Sequence, residues 1–373
     1  MISPHYGYLG RGAESFTREI TKVLKKRGHT VDIYGMGSNV SNPVEAIRID
    51  QGIGKIWSDI CTKTQIDGFF KKFIGIEPNL SHLSYFLTMS SIFKDNTYDF
   101  LWNNGEMFGA LFCFKIRKRY NIPFIVTFHG NESMMMLTEA KLKPDIFAVL
   151  TPQYKNFLGR KIEGNIKCIP NGIDLTLFKP NKKKLNKYGL DKLERPLYLS
   201  TSALTEGKRV ELAVKAIARL KKGSFVFTQT GPEQKRILVL AKKLLKNRFK
   251  WLGSIPFKEL PALYNTCDVY INTSRSEGHS LALMEAMACN LPIVTHNDEN
   301  RKWSIGEAGY LVDVTNIKVL AKALLRASKK DWKNIPRKQA EKFSWDKTVD
   351  VYLDEMERVN QSKKALPSEL SEN

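Results

Sequence analysis

No uninterrupted apolar run of membrane-spanning length occurs in this sequence; Lys or Arg breaks the hydrophobic stretches throughout, so no transmembrane helix is expected. No C-x-x-C pair occurs either. The five cysteines, Cys61, Cys113, Cys168, Cys267 and Cys289, lie far apart, which suggests neither a disulfide framework nor a zinc site. They read as small buried hydrophobes. The six histidines lack metal-ligand spacing, and no metal is expected. The opening MISPHYGYLG lacks the basic-then-apolar layout of a secretory leader, so a cytoplasmic location is expected. RRM, KH and zinc-knuckle patterns are missing too, which argues against a nucleic-acid partner.

What the sequence has in excess is positive charge. Lys plus Arg number 59 against 38 Asp plus Glu, a formal charge of +21. Such a surface attracts nucleic acid, anionic lipid headgroups or phosphorylated substrates. The cluster Lys242, Lys243, Lys246, Arg248 and Lys250 sits on an amphipathic helical pattern and reads as a solvated helix face.

The chain has 373 residues, too many for one ordinary core and enough for two α/β domains. MIS resembles the remnant of a strand, followed by a loop with Gly7, Gly10 and Gly12. Phe16, Ile20, Val23 and Leu24 then recur at helical spacing, and Gly28 is placed to end the helix. TVDIYG reads as the next strand, which implies a parallel pair with a right-handed crossover. Residues 51–95 are less regular. Beyond them YDFLWNN, PFIVTFHG, IFAVLT and IKCIPNG alternate with helical segments and complete one doubly wound domain.

Asp174–Glu194, rich in Lys and Asn, reads as a linker or domain-edge excursion. A second alternating series runs from LYLSTSA to PIVTH. The expected organisation is a first domain over 1–175 and a second over 190–345. A helix over 346–361 docks, with the first domain as its expected partner, and residues 362–373 form a disordered tail. Two such domains leave a cleft at the carboxyl ends of their strands, where ligands of open α/β sheets bind. GFFKKFIGI and FKIRKRY are open to two readings, an anionic membrane contact or plain core packing.

The stretch SRSEGHSLALMEAMACNLPIV carries the chemistry. Glu277 closes the loop after the strand VYINTS, and Gly278, His279 and Ser280 lead into a helix. Ser280 is placed to cap that helix, whose first N–H groups form a phosphate site. Glu285 follows Glu277 by eight residues. One carboxylate thus lies beside the phosphate site and one behind it, both able to accept hydrogen bonds from hydroxyls. Each alone reads equally well as a solvated loop residue or a dipole-favoured Glu in a first turn.

Together, the Glu277–Glu285 spacing, EG at its start and EAMA at its end resemble the E-x7-E signature of retaining glycosyltransferases of family four, which have the GT-B fold. CIPNGIDLTLFKP, with Asn171, Gly172 and Asp174, resembles that family's inter-domain sequence. GAESFTREITKVLKKRGHTVDIYG resembles its opening loop and helix, and TFHG the strand end that supplies a histidine, here His129. KWLGSIPFKELPALYNTCDVYINTS and FSWDKTVDVYL also fit, so the resemblance covers nearly the whole chain in order.

The resemblance implies two Rossmann-like doubly wound domains facing across a cleft, and a sugar moved from a nucleotide-diphosphate donor to an acceptor hydroxyl. On matched positions it implies that Glu277 meets the donor sugar and Glu285 the ribose. The N–H groups of His279, Ser280 and Leu281 face the diphosphate, and Lys208 is the phosphate lysine. His129 lies near the transferred sugar and Gly12 near the diphosphate or acceptor. Retention by front-face attack, no metal, and a glycan or lipid-linked acceptor are implied as well, as in glycan, lipopolysaccharide, exopolysaccharide or glycolipid synthesis. With the basic charge, this gives a cytoplasmic enzyme as the expectation, with a peripheral place on the inner membrane face left open beside it.

The chain departs from the family at three places. Ser202-Ala203-Leu204 stands for Gly-Arg-Leu, so the phosphate arginine is missing, with Arg209 as a candidate replacement or a surface residue. Gly278-His279-Ser280 stands for Gly-Phe-Gly, which is expected to alter the donor pocket, and Arg11-Gly12 for Gly-Gly. A dinucleotide-dependent oxidoreductase is a competing class, since Gly10-Arg11-Gly12 opens a helix and Asp32 lies twenty residues beyond Gly12. Ser15 replaces the third glycine, however, and Asp32 falls inside its strand. An RNA-binding protein is the third class, resting on charge alone.

Overall fold

The computed structural model describes residues 1–3, 12–35, 46–48, 89, 93, 98–105, 107–130, 133–181, 185 and 187–365. Readings made above on Gly7, Gly10, Arg11, Cys61, GFFKKFIGI and residues 366–373 lie outside the described residues. The chain forms two compact units, one of residues 1–170 with 345–373 and one of residues 171–344.

In the first unit β1 (Ile33–Gly35) pairs with β2 (Ala46–Arg48), and β3 (Leu101–Asn103), β4 (Phe124–Phe128), β5 (Ile146–Val149) and β6 (Ile166–Cys168) form a parallel ladder. Ile2 bridges both Tyr34 and Asn103, so the short first strand is reduced to one residue that joins the two ladders. All five residues of β4 are buried. A parallel strand covered on both faces has no polar side, which is why PFIVTF shows no alternation.

Helix α1 (Gly12–Lys26) buries Phe16, Ile20 and Leu24, the stripe expected from the sequence. Gly28 then takes φ +87°, a left-handed conformation open to glycine, and the His29 N–H returns to the Leu24 carbonyl at 3.1 Å to close the helix. Helices α2 (Met107–Tyr120), α3 (Ser133–Ala140) and α4 (Pro152–Gly159) complete the alternation. In FKIRKRY, on α2, Ile116 is buried, while Phe114 and Tyr120 pack partly buried against the core. The C-terminal helix, Trp345–Ala365, belongs to this unit. Trp345 and Tyr352 pack on Phe16, and the Tyr352 hydroxyl lies 2.8 Å from Thr127 Oγ1. Residues 362–365, expected in a disordered tail, continue this helix.

The second unit is a six-stranded parallel sheet in the order β12-β11-β10-β7-β8-β9. Its strands are β7 (Leu197–Ser200), β8 (Ser224–Phe227), β9 (Phe249–Trp251), β10 (Val269–Asn272), β11 (Ile293–His296) and β12 (Gly309–Val312). Helices α5 (Val210–Ala218), α6 (Gln234–Leu245) and α10 (Ile317–Lys329) cover one face, where Val214, Ile217, Ile237 and Leu324 share a core. Helices α7 (Leu260–Thr266), α8 (Leu281–Ala288) and α11 (Ile335–Ala340) cover the other, with Leu263, Met284 and Met287; α9 (Glu299–Ile305) lies between β11 and β12 in the chain.

Much of the stretch read as a linker or domain-edge excursion belongs to this second core. Phe178, Leu185 and Leu190 are buried there with Ile173. Each is worth roughly 1.5–3 kcal/mol of burial, enough to anchor a segment without regular structure. The two ends of the unit meet: Ile173 forms a bridge with Ser344, and its N–H donates to the Phe343 carbonyl at 2.9 Å.

Candidate functional site

The chain reverses its direction of sheet growth between β7 and β10. In an open parallel sheet that reversal leaves a crevice beyond the carboxyl ends of the two strands, because their outgoing loops diverge. The loop after β7 ends in Lys208 and Arg209, and the loop after β10 carries Glu277. Lys208 Nζ lies 2.6 Å from Glu277 Oε1. Asn272, the last residue of β10, donates from Nδ2 to the same oxygen at 3.3 Å.

Burial alone would raise the Glu277 carboxyl. The Lys208 charge and hydrogen bond, with contributions from Ser274 and Arg301, outweigh that and hold it below the usual carboxylate value. Glu277 is therefore an ionised acceptor at neutral pH.

The loop bearing Glu277 is anchored through its carbonyls. Arg209 donates from Nε to Thr273 O at 2.9 Å and from Nη2 to Ser274 O at 3.1 Å. Arg301, fully buried on α9, donates to the same Ser274 carbonyl at 2.8 Å and pairs with Asp298. Asn300 donates to Glu277 O at 3.2 Å. Arg209 is thus neither a bare surface residue nor an uncommitted cation; two of its donors brace the loop.

Helix α8 begins directly after this loop. Ser280 occupies the N-cap position, but its hydroxyl makes no capping bond, contrary to the sequence expectation. Capping needs the side-chain oxygen turned back over the first turn, a rotamer choice the sequence does not encode. Among the described residues no acceptor meets the N–H groups of Ser280, Leu281 or Ala282. The helix start therefore keeps its unpaired donors and partial positive charge.

The His279 side chain is turned into the core. It is buried between Phe343 and Trp303, with ring centroids at 4.7 and 5.4 Å. Neither ring nitrogen has a hydrogen-bond partner among the described residues, and burial pulls its pKa down to about 3. Only its backbone faces the site, and its carbonyl accepts from Asn171 Nδ2 at 3.0 Å. Gly278 and Leu281 flank it, half-buried.

Glu285, half-buried one turn into α8, accepts at Oε2 from the Tyr264 hydroxyl at 2.7 Å. Tyr264 and Tyr270 both meet Thr201 Oγ1, at 3.1 and 3.0 Å. Burial, then the Glu285 charge, raises the Tyr264 hydroxyl well above its ordinary value, so it stays a donor. Tyr270 lies on β10 two residues before Asn272, and Thr201 directly follows β7. Both carboxylates of the pair are thereby tied to the same two strand ends.

His129 and Gly12 lie in the first unit. Gly12 opens α1, and His129 follows β4. Asn104, directly after β3, donates from Nδ2 to Ala13 O at 2.9 Å and to Thr17 Oγ1 at 2.6 Å. Its Oδ1 faces His129 Nε2. The His129 ring packs edge-on against Phe16 at 4.7 Å, and burial pulls its pKa down to about 3. Asp32 precedes β1, outside the strand that was expected to contain it, and accepts from the Tyr98 hydroxyl at 2.8 Å. It is at the amino end of its strand, whereas a ribose-binding carboxylate sits at the carboxyl end.

Asn104, Asn272, Asn300 and Arg301 were not singled out from the sequence. The one signal available was an Asn closing each of the strand runs FLWNN and VYIN. Among the described residues no group of three or more His, Cys, Asp or Glu side chains is placed to hold a metal ion. Among them no helix is long and apolar enough to cross a membrane.

A family model described as Glycosyltransferase Family 4 matches residues 10–177, and one described as Glycosyl transferases group 1 matches residues 181–344. The O-antigen chain mannosyltransferase B of Escherichia coli is 30% identical over 112 residues, covering 28% of this chain and 29% of that protein. The matched stretches span 29–49% of the length of the first curated relatives. Among solved structures, sucrose-phosphate synthase from Thermosynechococcus elongatus superposes with a TM-score of 0.79 at 18% identity, over 97% of this chain and 98% of that one. HepE from Anabaena, solved in complex with UDP and glucose, superposes with a TM-score of 0.70 at 16% identity, over 98% of both chains. The shared architecture is the two-domain GT-B fold.

Proposed function

Because the chain belongs to the glycosyltransferases that join a family 4 domain to a group 1 domain, we propose that it moves a sugar from a nucleotide-diphosphate donor to an acceptor hydroxyl with retention of configuration. The observation that carries this reading is the Lys208–Glu277 pair beside the unpaired start of α8, at the point where the sheet order reverses. An ammonium and a row of free N–H groups suit a diphosphate, and an ionised carboxylate suits sugar hydroxyls.

In the transfer, the bond from the anomeric carbon to the diphosphate oxygen breaks and negative charge grows on the leaving phosphate. Lys208, with donors left over from Glu277, and the N–H groups of His279, Ser280 and Leu281 stabilise that charge before it forms. No resident metal is part of the proposal, since these donors supply the positive field. The acceptor oxygen bonds to the same face of the sugar, and its proton passes to the departing phosphate oxygen. Glu277 holds the sugar hydroxyls, Glu285 the ribose, His129 the far side of the sugar, and Gly12 lets the backbone approach the diphosphate or acceptor.

HepE with UDP and glucose supports a nucleotide-sugar donor. Relatives named for colanic acid and amylovoran biosynthesis support a glycan or lipid-linked acceptor. The +21 charge supports work at an anionic membrane surface on the cytoplasmic side.

Thermal shift against a panel of nucleotide sugars, free nucleotides, NAD(P) and RNA tests the reading. A nucleoside diphosphate and one of its sugars should raise the melting temperature by mass action, and the product anomer should keep the donor's configuration by NMR. Stabilisation by NAD(P) or RNA alone would overturn it. Flotation with vesicles that ignores anionic lipid content would remove the membrane component.

A further inference from the structure

The last residue of β10 is an asparagine in a run that is otherwise apolar, and it is 1% exposed. A buried amide costs stability unless its donors and acceptor are used. Asn272 Oδ1 accepts from the Ser274 N–H at 3.3 Å and from Thr295 Oγ1 at 3.4 Å. Thr295 is its cross-strand neighbour on β11. A backbone N–H can only donate, so this contact fixes the amide's orientation and turns Nδ2 to Glu277 Oε1 at 3.3 Å.

We infer that Asn272 is a positioning residue for Glu277: with Lys208 it holds Oε1, and so fixes the rotamer in which the carboxylate meets a ligand hydroxyl. The two donors do different work. Lys208 sits on a loop and has a diphosphate to meet, whereas Asn272 is fixed in the sheet by Thr295 and does not depend on bound ligand. When Lys208 turns toward phosphate, Asn272 keeps the carboxylate in its rotamer and ionised. This rests on Glu277 being the donor-sugar residue.

Two measurements test it separately from that reading. The first needs no substrate: melting temperatures of the full chain with Asn272→Leu, Glu277→Ala and both. Asn272→Leu should lower the midpoint less when Glu277 is already Ala, because the contact is then lost once rather than twice. Additive shifts would overturn the inference. The second uses whichever of UDP-glucose, UDP-N-acetylglucosamine and GDP-mannose the wild type consumes fastest.

With that donor, Asn272→Leu should cut kcat about ten-fold, the effect of one well-placed hydrogen bond. It should move the acid limb of the rate profile to higher pH and leave the affinity for the free nucleoside diphosphate unchanged. Thr295→Val, which touches neither Glu277 nor ligand, should act in the same direction more weakly; it decides the matter if the Leu variant does not fold. An unchanged kcat and acid limb would count against the inference. A wild type that consumes no donor defeats the proposed function instead, and the melting cycle still decides Asn272.

Discussion

Asn104 and His129 fix each other's hydrogen-bonding state. The Asn104 amide nitrogen is committed to the Ala13 carbonyl, which can only accept, so its oxygen must face His129 Nε2. Burial keeps the imidazole neutral, so its single proton sits on Nε2 and Nδ1 is left as an acceptor.

His129 should show the neutral Nε2–H form by nitrogen NMR across the range where an ordinary histidine titrates, near pH 6.5. Asn104→Asp puts a carboxylate against the ring and should move the His129 titration upward from about 3. An Asn104→Asp protein whose His129 still does not titrate would rule out the contact.

Lys208→Met should lower kcat by about 10²–10³, the cost of losing a charge aimed at the leaving group. It also removes the main force holding the Glu277 pKa down. A depressed carboxyl contributes stability above its unfolded value, lost as pH falls through the folded one. In the variant, burial pushes the pKa upward, so the acid limb and the onset of acid instability should both move to higher pH. Rate profiles and melting curves at several pH values read this directly.

His279→Phe should stabilise the second unit. The wild-type ring buries two unpartnered nitrogens between Phe343 and Trp303, and a phenyl group of similar shape removes them. A gain of about 1 kcal/mol, or roughly 2–4 °C, is expected. The unfolded chain takes up a proton at His279 near pH 6.5, while the folded one resists until about 3, so wild-type stability falls across that window. The variant should lose less of its melting temperature there. Calorimetry between pH 7 and pH 4 checks both effects.

Gly309→Ala should destabilise by about 3 kcal/mol or more. A Cβ there would collide with the Ile293 carbonyl oxygen, a backbone atom inside the sheet that cannot step aside. Denaturant unfolding measures the loss, and a near-neutral result would contradict the close pairing of β11 with β12.

The sequence showed most where its signals are contiguous. Phe16, Ile20 and Leu24 announced α1, and the spacing of Glu277 and Glu285 with Lys208 marked residues that the fold ties to the same strand ends. What it concealed depends on contacts between distant positions. Arg301 reaches Ser274 from 27 residues away and no period connects them. Phe178, Leu185 and Leu190 are buried without regular spacing, so their segment read as a linker or domain-edge excursion. Ser280 sits at a cap position, yet whether it caps depends on a torsion. The burial of the His279 side chain is decided by Phe343, far along the chain.

Because Ile173 and Ser344 lie side by side, the second unit begins and ends at one place. It is an uninterrupted stretch of chain inserted in the sequence of a first unit, which the C-terminal helix completes. A single nick near residue 171 frees residues 1–170 as a separate chain, while the second unit stays covalently joined to the C-terminal helix through residue 344. The inserted stretch, with Lys208, Glu277 and Glu285 all inside it, can be exchanged as one cassette for that of another chain while its host keeps both flanking pieces.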